Sequence, residues 1–326
     1  MLRAAAARWG IPLADWVDLS TGIAPWSYAA HITAAAWQRL PEDDDGLDAA
    51  AARYYGHPAP LPLPGSQAAI QLLPRLISPA RVALAAPAYS EYAPAWRGAG
   101  HWVFEHSYAA VADGEFEAEV VMLASPNNPT GERLDHALVH RLAALQERRG
   151  GWLIVDAAFA DADANAALAH LAGEALPRLV VLHSLGKFFG LAGARVGFFC
   201  GAAELRQRLA TAIGPWAVAH PSRQAATQAL TDTAWHAAQR ERLAAATARL
   251  LDLLSGHRIA GTAGGSLFVY APNPEAKALD EFLARRAILV RRFEQPAALR
   301  FGLPGSKADW RRLEAALAEW TAMPKD

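Results

Sequence analysis

The chain has 326 residues, of which 53% are hydrophobic and 19% charged, and its 31 basic residues nearly balance 32 acidic ones. This composition is typical of a folded globular protein. No block of basic residues offers a footprint for nucleic acid or an anionic membrane, and no apolar run approaches the ~20 residues of a membrane-spanning helix. With Cys200 as the single cysteine, no internal disulfide can form. We therefore expect a soluble, cytoplasmic protein without a nucleic-acid or membrane partner.

The first two thirds of the chain alternate between two kinds of pattern. Residues 1–10 predict a short amphipathic helix that ends at Gly10. Short apolar runs then predict strands at 82–86, 102–105, 120–124, 152–155, 180–183 and 196–200, and periodic stretches predict helices at 134–148 and 202–209. Continuous apolar strands that alternate with helices indicate the α/β class, with a mainly parallel sheet covered on both faces.

The pattern changes after residue 214. Helices are predicted at 222–254, at 276–286 and from 306 to about 320, and strands at 266–270, 288–291 and 299–303. Ser306 and Asp309 have the spacing of a capping box at the start of the last helix. We predict a small α+β domain at 215–326, a large domain at 31–214 and an N-terminal arm at 1–30 that packs on the small domain.

The strongest chemical signal is Lys187, just beyond the apolar run 180–183. A lysine fixed by a buried strand suits covalent reaction with a carbonyl group, because desolvation lowers the pKa of the amine. Ser184 and Arg195 flank it, and both could bind one phosphate group, the arginine through charge-assisted hydrogen bonds. A solvated lysine beside a glycine-rich turn is the alternative interpretation of the same residues.

Two further polar side chains follow predicted strands at their carboxyl ends. Asp156 comes directly after strand 152–155 and so faces the crevice where α/β sheets bind ligands. Its carboxylate either pairs with a protonated ring nitrogen or caps a helix. Loop 124–131 places Asn128 among two prolines and a glycine, which make the loop rigid enough to hold an amide against a ring oxygen.

Two more segments could bind anions. Gly65, Ser66 and Gln67 open a helical stretch, whose first backbone N–H groups and hydroxyl suit a phosphate. Arg300 lies between strand-type hydrophobic residues, and a guanidinium suits a bidentate grip on a carboxylate. Each segment alone also fits an ordinary helix start or a surface arginine, so the inference depends on their combination.

Together, in this order and at these separations, the five segments resemble the class I/II aminotransferases, the fold-type-I enzymes that depend on pyridoxal 5′-phosphate (PLP). The resemblance implies a large domain with a mainly parallel seven-stranded sheet, a small α+β C-terminal domain, and PLP as the cofactor. Lys187 would carry PLP as a Schiff base, Asp156 would pair with the pyridine nitrogen, and Asn128 would bond the 3′ oxygen.

The resemblance also implies the remaining roles. Tyr89 would stack on the ring and join Lys187 and Asp156 as a catalytic residue. Arg300 would receive the α-carboxylate of the substrate. The cofactor phosphate would be held by Gly65, Ser66, Gln67, Ser184 and Arg195.

Residues 4–12, 18–25, 40–47 and 214–218 resemble one subgroup, the threonine-phosphate decarboxylases of cobalamin biosynthesis. This likeness implies a homodimer that converts O-phospho-L-threonine to (R)-1-amino-2-propanol phosphate with loss of carbon dioxide. Thr21 and Gly22, together with Arg300, would bind this phosphorylated amino acid. The alternative is an aminotransferase of the histidinol-phosphate type or one with a similar amino-acid substrate, whose activity needs a 2-oxo acid.

Several positions depart from the patterns of these relatives or bear on other functions. Phe159 stands where many aminotransferases have a tyrosine that bonds the ring oxygen, and Leu40 stands where histidinol-phosphate aminotransferases usually have a tyrosine that crosses to the partner's cofactor. Both departures favour the decarboxylase. A non-catalytic binding module is disfavoured, because such a relative would be expected to lose Lys187. No metal site is expected, since His136 and His140 are spaced as a zinc pair without a third ligand.

Overall fold

The computed structural model describes residues 2–163 and 166–323. The chain divides into two compact units, a larger one formed by Ser27–Ala237 and a smaller one formed by Met1–Trp26 together with Ala238–Asp326. The domain limits that the sequence suggests, at residues 30 and 214, stay a prediction. Among the described residues, no helix is both long enough and apolar enough to cross a membrane.

The secondary structure follows the alternation seen in the sequence. The described helices are α1 (Leu2–Trp9), α2 (Leu47–Tyr55), α3 (Ser66–Leu76), α4 (Tyr92–Gly98), α5 (Tyr108–Asp113), α6 (His136–Arg148), α7 (Ala203–Ile213), α8 (His220–Thr231), α9 (Thr233–Gly256), α10 (Ala276–Ala284) and α11 (Lys307–Ala322). The described strands are β1 (Val17–Asp18), β2 (Leu61–Leu63), β3 (Arg81–Ala86), β4 (Trp102–Ser107), β5 (Val120–Ala124), β6 (Trp152–Asp156), β7 (Leu179–Ser184), β8 (Gly197–Cys200), β9 (Thr262–Gly264), β10 (Phe268–Pro272), β11 (Ile288–Leu289), β12 (Arg291–Phe293) and β13 (Ala298–Gly302). Every strand predicted between residues 82 and 200 is present, with ends that differ by no more than two residues.

The larger unit is built on a seven-stranded sheet of order β2-β8-β7-β6-β5-β3-β4. Strands β3 to β7 run parallel to one another, whereas β8 is antiparallel to both β7 and β2. Strands β5 and β7 are buried at every position, as expected for a parallel sheet with two covered faces. The predicted α/β class with a mainly parallel seven-stranded sheet is confirmed. Strand β2 was missed, because Pro62 interrupts a run of only three residues at the sheet edge.

The smaller unit contains a four-stranded antiparallel sheet of order β12-β13-β10-β9 and a short parallel pair formed by β1 and β11. Helix α11 begins with the predicted capping box. Asp309 N donates to Ser306 Oγ at 3.1 Å, and Ser306 N donates to Asp309 Oδ2 at 2.9 Å. The α+β character predicted for the C-terminal part is therefore confirmed in this unit.

The single helix predicted at 222–254 is wrong. Helix α8 ends at Thr231 and α9 begins at Thr233, because Asp232 leaves the helical conformation with φ −85° and ψ 80°. Its Oδ1 accepts a hydrogen bond from Trp235 N at 3.0 Å. A side-chain oxygen that caps the first N–H groups of a new helix separates it from the preceding one. Thr231 and Thr233 flank Asp232, and this run of three poor helix formers is the sequence signal of the break that was missed.

Candidate active site

The carboxyl ends of three neighbouring strands meet at one pocket in the larger unit. Asp156 is the last residue of β6 and Ser184 the last of β7, while Asn128 follows β5 and Lys187 follows β7. The ends of parallel strands form the ligand-binding edge of α/β sheets. The pocket is open to solvent, and the space within it, open solvent included, is about 610 Å³. Eight of the predicted site residues line it: Ser66, Gln67, Tyr89, Asn128, Asp156, Ser184, Lys187 and Arg195.

One wall of the pocket suits a phosphate group. Gly65 is the N-cap of α3 with a φ of 78°, and a Cβ there would lie 2.6 Å from Arg195 Nη2. Only glycine therefore lets the guanidinium approach this turn. Ser66 and Ser184 place hydroxyl groups on the same pocket. A helix N-terminus, two hydroxyls and an arginine match a phosphate in charge and in hydrogen-bond donors, and we call this set of residues the phosphate cradle.

A second glycine, Gly197 on β8, shapes the phosphate cradle and was missed as a site residue. A Cβ at this position would lie 2.5 Å from Ser66 N, 2.7 Å from His183 O and 2.9 Å from the carbonyl carbon of Gly65. The backbone of β8 therefore packs directly against the turn that begins α3. A glycine inside a strand is the sequence signal for such a close approach.

Asp156 is buried, with 6% of its surface exposed. Its carboxylate accepts hydrogen bonds from Tyr92 Oη at 2.7 Å and from Ala158 N at 3.0 Å. Burial raises the pKa of Asp156 above its ordinary value, although both hydrogen bonds and the charge of Lys187 oppose this shift. A desolvated carboxylate of this kind is stabilised by a cation such as a protonated ring nitrogen. Tyr92 was missed, because its position on α4 carries no local sign of a bond to β6.

Tyr89 presents an aromatic ring to the pocket. Its hydroxyl donates to Gln67 Oε1 at 3.2 Å, and its ring centre lies 5.5 Å from that of Tyr92 in an edge-to-face contact. The side chain is 36% exposed. The hydroxyl bond and the ring contact hold Tyr89 at the pocket, and its stacking on the cofactor ring stays a prediction.

The two asparagines of loop 124–131 have different surroundings. Asn127 is fully buried, and its amide donates to Pro87 O at 2.9 Å and to Thr130 Oγ1 at 2.6 Å. Asn128 lines the pocket. Asn127 therefore fixes the loop, whereas Asn128 faces the pocket, and its bond to a ring oxygen stays a prediction.

Lys187 lies close to an aromatic ring. Its Nζ is 5.3 Å from the ring centre of Phe159, which is 5% exposed. Phe159 belongs to the turn that follows Asp156, in which Ala160 N donates to Ala157 O at 2.9 Å. The turn that places the buried carboxylate therefore also places the ring beside the lysine.

In the smaller unit, Arg300 is the middle residue of β13 and is 7% exposed. Its Nη2 donates to Ser20 O at 2.7 Å, and its Cζ lies 5.0 Å from the ring centre of Phe268. Burial, with a smaller contribution from the charge of Arg291, lowers the pKa of Arg300 to about 10. Arg291 occupies the facing position on β12. Like charges on facing positions of a strand pair repel, so an anion bound near them is favoured.

The predicted substrate residues Thr21 and Gly22 lie on a segment beside the same strand. Gly302 N donates to Leu19 O at 2.7 Å, and a Cβ on Gly302 would collide with Thr21 O. Thr21 is partly exposed and Gly22 is buried. Within this unit the structure thus places Thr21 and Arg300 on adjacent segments, and their contact with substrate stays a prediction.

The residues of the pocket fit PLP. The phosphate cradle matches the cofactor phosphate, and the cradle excludes a Cβ at two positions, Gly65 and Gly197. The buried carboxylate of Asp156 matches the ring nitrogen, and Lys187 offers an amine on the same pocket. No group of three or more His, Cys, Asp or Glu side chains suited to a metal ion occurs in the described part of the chain.

Comparison with known proteins identifies the family to which the chain belongs. The model of the family Aminotransferase class I and II matches residues 40–317, so the chain belongs to this family. The predicted family is confirmed, and PLP is its cofactor. The histidinol-phosphate aminotransferase of Sinorhizobium meliloti, solved in complex with pyridoxal-5′-phosphate, has the same fold, with a TM-score of 0.85 at 19% identity over 98% of this chain and 94% of that one.

Within this family, the chain is similar over nearly its whole length to two curated relatives. The chain is 51% identical to a threonine-phosphate decarboxylase of Pseudomonas aeruginosa, over 97% of this chain and 95% of the relative. It is 41% identical to a threonine-phosphate decarboxylase of a Sinorhizobium species, over 96% of this chain and 95% of the relative. The similarity to this subgroup that the sequence motifs suggested is therefore present along nearly the whole chain.

The close packing at Gly197 predicts a specific loss of cofactor affinity. In Gly197→Ala the new Cβ should displace the turn at Gly65 and weaken PLP binding about tenfold to a hundredfold, since overpacking costs about 1–3 kcal/mol. The control is Gly193→Ala, because no atom lies within 4 Å of a Cβ at that position. Equilibrium dialysis with PLP, on variants whose folding is checked by circular dichroism, measures the effect. Equal affinities of the two variants would contradict the packing account.

The hydrogen bond from Tyr92 predicts a change in pH dependence. The predicted pairing of Asp156 with a ring nitrogen needs the ionised carboxylate, which is present above the pKa of Asp156 and is lost as pH falls through that pKa. The bond from Tyr92 lowers the pKa of Asp156, so Tyr92→Phe should move the acidic limb of kcat/KM to higher pH. On that limb the rate should fall about tenfold, since a bond to a charged group contributes ~1.5 kcal/mol. Tyr89→Phe, which removes a hydroxyl bonded to Gln67, should leave the limb in place. A pH profile of Tyr92→Phe that coincides with the wild type would refute this assignment.

Proposed function

We propose that this chain is a PLP-dependent decarboxylase that converts O-phospho-L-threonine to (R)-1-amino-2-propanol phosphate and carbon dioxide in cobalamin biosynthesis. The observation that carries the proposal is the 51% identity to a threonine-phosphate decarboxylase across 97% of the chain. The pocket supports it, because every predicted cofactor-binding residue either lines the pocket or, as with Gly65, contacts its wall.

The residues of the chain have separate tasks in this reaction. When bound, PLP supplies an electron-withdrawing ring that stabilises negative charge at the substrate Cα. The negative charge of Asp156 keeps the ring nitrogen protonated. Lys187 would hold the cofactor covalently, and its amine, when free, would move a proton at the substrate Cα. The phosphate cradle orients the cofactor through the donors of α3, two serines and Arg195.

The smaller unit supports a substrate with two anionic groups. Arg300 and Arg291 face each other on adjacent strands, and Arg300 is fixed by its bond to Ser20 O. A guanidinium held in this way binds a carboxylate with two parallel hydrogen bonds. We assign the substrate carboxylate to Arg300 and the substrate phosphate to the neighbouring charge of Arg291. O-phospho-L-threonine carries both groups.

We also propose that the protein is a homodimer and works in the cytoplasm. In the larger unit Trp37, Leu40 and Trp216 expose 73%, 60% and 61% of their surfaces. Trp216 lines one cavity together with Pro41, the neighbour of Leu40. A cluster of large exposed apolar side chains marks an interaction surface. A second copy of the chain is the partner that the family resemblance implies.

A charge placed in this cluster should weaken the dimer. In Trp216→Glu the dissociation constant of the dimer should rise about 30-fold or more, since a central aromatic residue contributes ~2 kcal/mol or more to an interface. Trp102→Glu on the edge strand β4 is a matched control, because Trp102 is also 61% exposed. Sedimentation velocity over a dilution series measures both. A dimer that survives Trp216→Glu but dissociates with Trp102→Glu would contradict this assignment, because the interface would then lie at the edge strand β4.

The reaction itself is tested by carbon dioxide release. The PLP-loaded protein should release carbon dioxide from O-phospho-L-threonine over many turnovers without any 2-oxo acid, and Lys187→Ala should abolish this release, because no other group then binds the cofactor covalently. Release of labelled carbon dioxide from carboxyl-labelled substrate measures it. Activity that appears only after a 2-oxo acid is added would identify an aminotransferase instead.

A further inference from the structure

Phe159 presents an aromatic ring to the one lysine of the pocket. Lys187 Nζ lies 5.3 Å from the ring centre, within the ~6 Å at which a cation is attracted to a ring face. The ring is 5% exposed and therefore cannot turn away into solvent. Its position is fixed by the turn after β6, since Ala158 N is bonded to Asp156 Oδ1 at 3.0 Å. A phenylalanine ring has no hydrogen-bonding group, so its effect on the amine is electrostatic.

Decarboxylation and transamination make opposite demands on this lysine. After the Cα–carboxylate bond breaks and carbon dioxide leaves, the electron pair on Cα must take up a proton, which an ammonium group supplies. Transamination instead begins when a neutral amine removes the proton from Cα. An ammonium group on Lys187 at the moment of reaction therefore favours decarboxylation, and a neutral amine favours transamination.

We propose that the ring of Phe159 holds Lys187, once the substrate has displaced it, in the ammonium form, so that Lys187 delivers a proton to Cα after carbon dioxide leaves and does not remove the Cα proton. This inference rests on the proposed decarboxylase function and names Phe159 as a positioning residue for it. In the step itself one proton passes from Lys187 Nζ to Cα, and the lysine is left as a neutral amine.

The other charged and titratable groups around the lysine act on it differently from the ring. Asp156 and Arg195 line the same pocket, as do the phenols of Tyr89 and Tyr92, and His183 acts on Asp156 from the adjacent strand. Asp156 favours a cation on Lys187 and Arg195 opposes one. We have assigned both to charged parts of the cofactor, a ring nitrogen and a phosphate, which offset their fields. No charged part of the cofactor is assigned to the face of Phe159, so the attraction between this face and Lys187 is not offset in the same way.

Fluorination of the ring tests this inference without changing its shape. Phe159 is replaced by mono-, di- and pentafluorinated phenylalanine in the full-length, PLP-loaded protein, because fluorine removes electron density from the ring face. Phe159→Leu removes the ring altogether. As a matched control, pentafluorophenylalanine replaces Phe199, a fully buried ring on β8. Thermal melting confirms that each variant is folded.

Three measurements are made on this series. The alkaline limb of carbon dioxide release should move to lower pH in step with fluorination, by about half a unit to one unit for the pentafluoro ring. Substrate recovered from deuterated water should carry several times more deuterium at Cα. Without substrate, the pH at which the absorbance of the Lys187-bound cofactor changes should move in the same direction. The Phe199 control should match the wild type in all three.

The outcomes separate this inference from the proposed function. A fluorinated series whose absorbance titration, alkaline limb and Cα exchange all coincide with the wild type would overturn the role of Phe159 while leaving the decarboxylase intact. If the wild type releases no carbon dioxide, the proposed function fails and the inference fails with it, although a moved absorbance titration would still show the contact between ring and lysine. A graded shift together with carbon dioxide release supports both.

Discussion

The buried charge of Asp156 imposes the arrangement of the pocket around it. Taking an ionised carboxyl group out of water is costly unless hydrogen bonds and opposite charges compensate. The Tyr92 hydroxyl and the Ala158 amide provide part of that compensation. A protonated ring nitrogen would provide the rest. The same burial that makes an unpaired carboxylate unfavourable therefore favours a cationic heterocycle bound beside it. The position of this carboxylate at the end of β6 would then determine where a ring bound to it lies.

The opposite end of the pocket depends on backbone contacts that only glycine permits. Gly65 and Gly197 bring the start of α3 against β8 and leave room for the guanidinium of Arg195. Arg195 itself has a φ of 53°, a left-handed conformation that costs about 1–3 kcal/mol for a residue other than glycine. The surrounding contacts hold it there, with its charge at the helix N-terminus. A phosphate bound in the cradle and a ring nitrogen bound at Asp156 would together define one orientation for PLP in the pocket that Lys187 lines.

Part of this site could be predicted from sequence and part could not. Lys187 and Asp156 follow apolar runs that identify strands, and parallel strands bring their carboxyl ends together, so local pattern is enough to place both at one edge of the sheet. Their roles followed only from the resemblance that the five segments carry together. Tyr92 contacts Asp156, and Gly197 packs against the turn at Gly65, in each case from an element distant in the chain. Neither residue has a local pattern that points to its partner. The fold shows the same division, because the sheet follows from strand periodicity whereas the helix break at Asp232 depends on one side-chain hydrogen bond. How Arg300 meets the substrate stays a prediction for the same reason.

The attachment point of the cofactor tests the account most directly. The PLP-loaded protein is treated with borohydride, which reduces the bond between an amine and the cofactor aldehyde to a stable one, and its peptides are analysed by mass spectrometry. The chain has four lysines, Lys187, Lys277, Lys307 and Lys325. The account predicts one phosphopyridoxyl group per chain, on the peptide that contains Lys187. A label on any other lysine, or a chain that stays unlabelled while it is catalytically active, would contradict it.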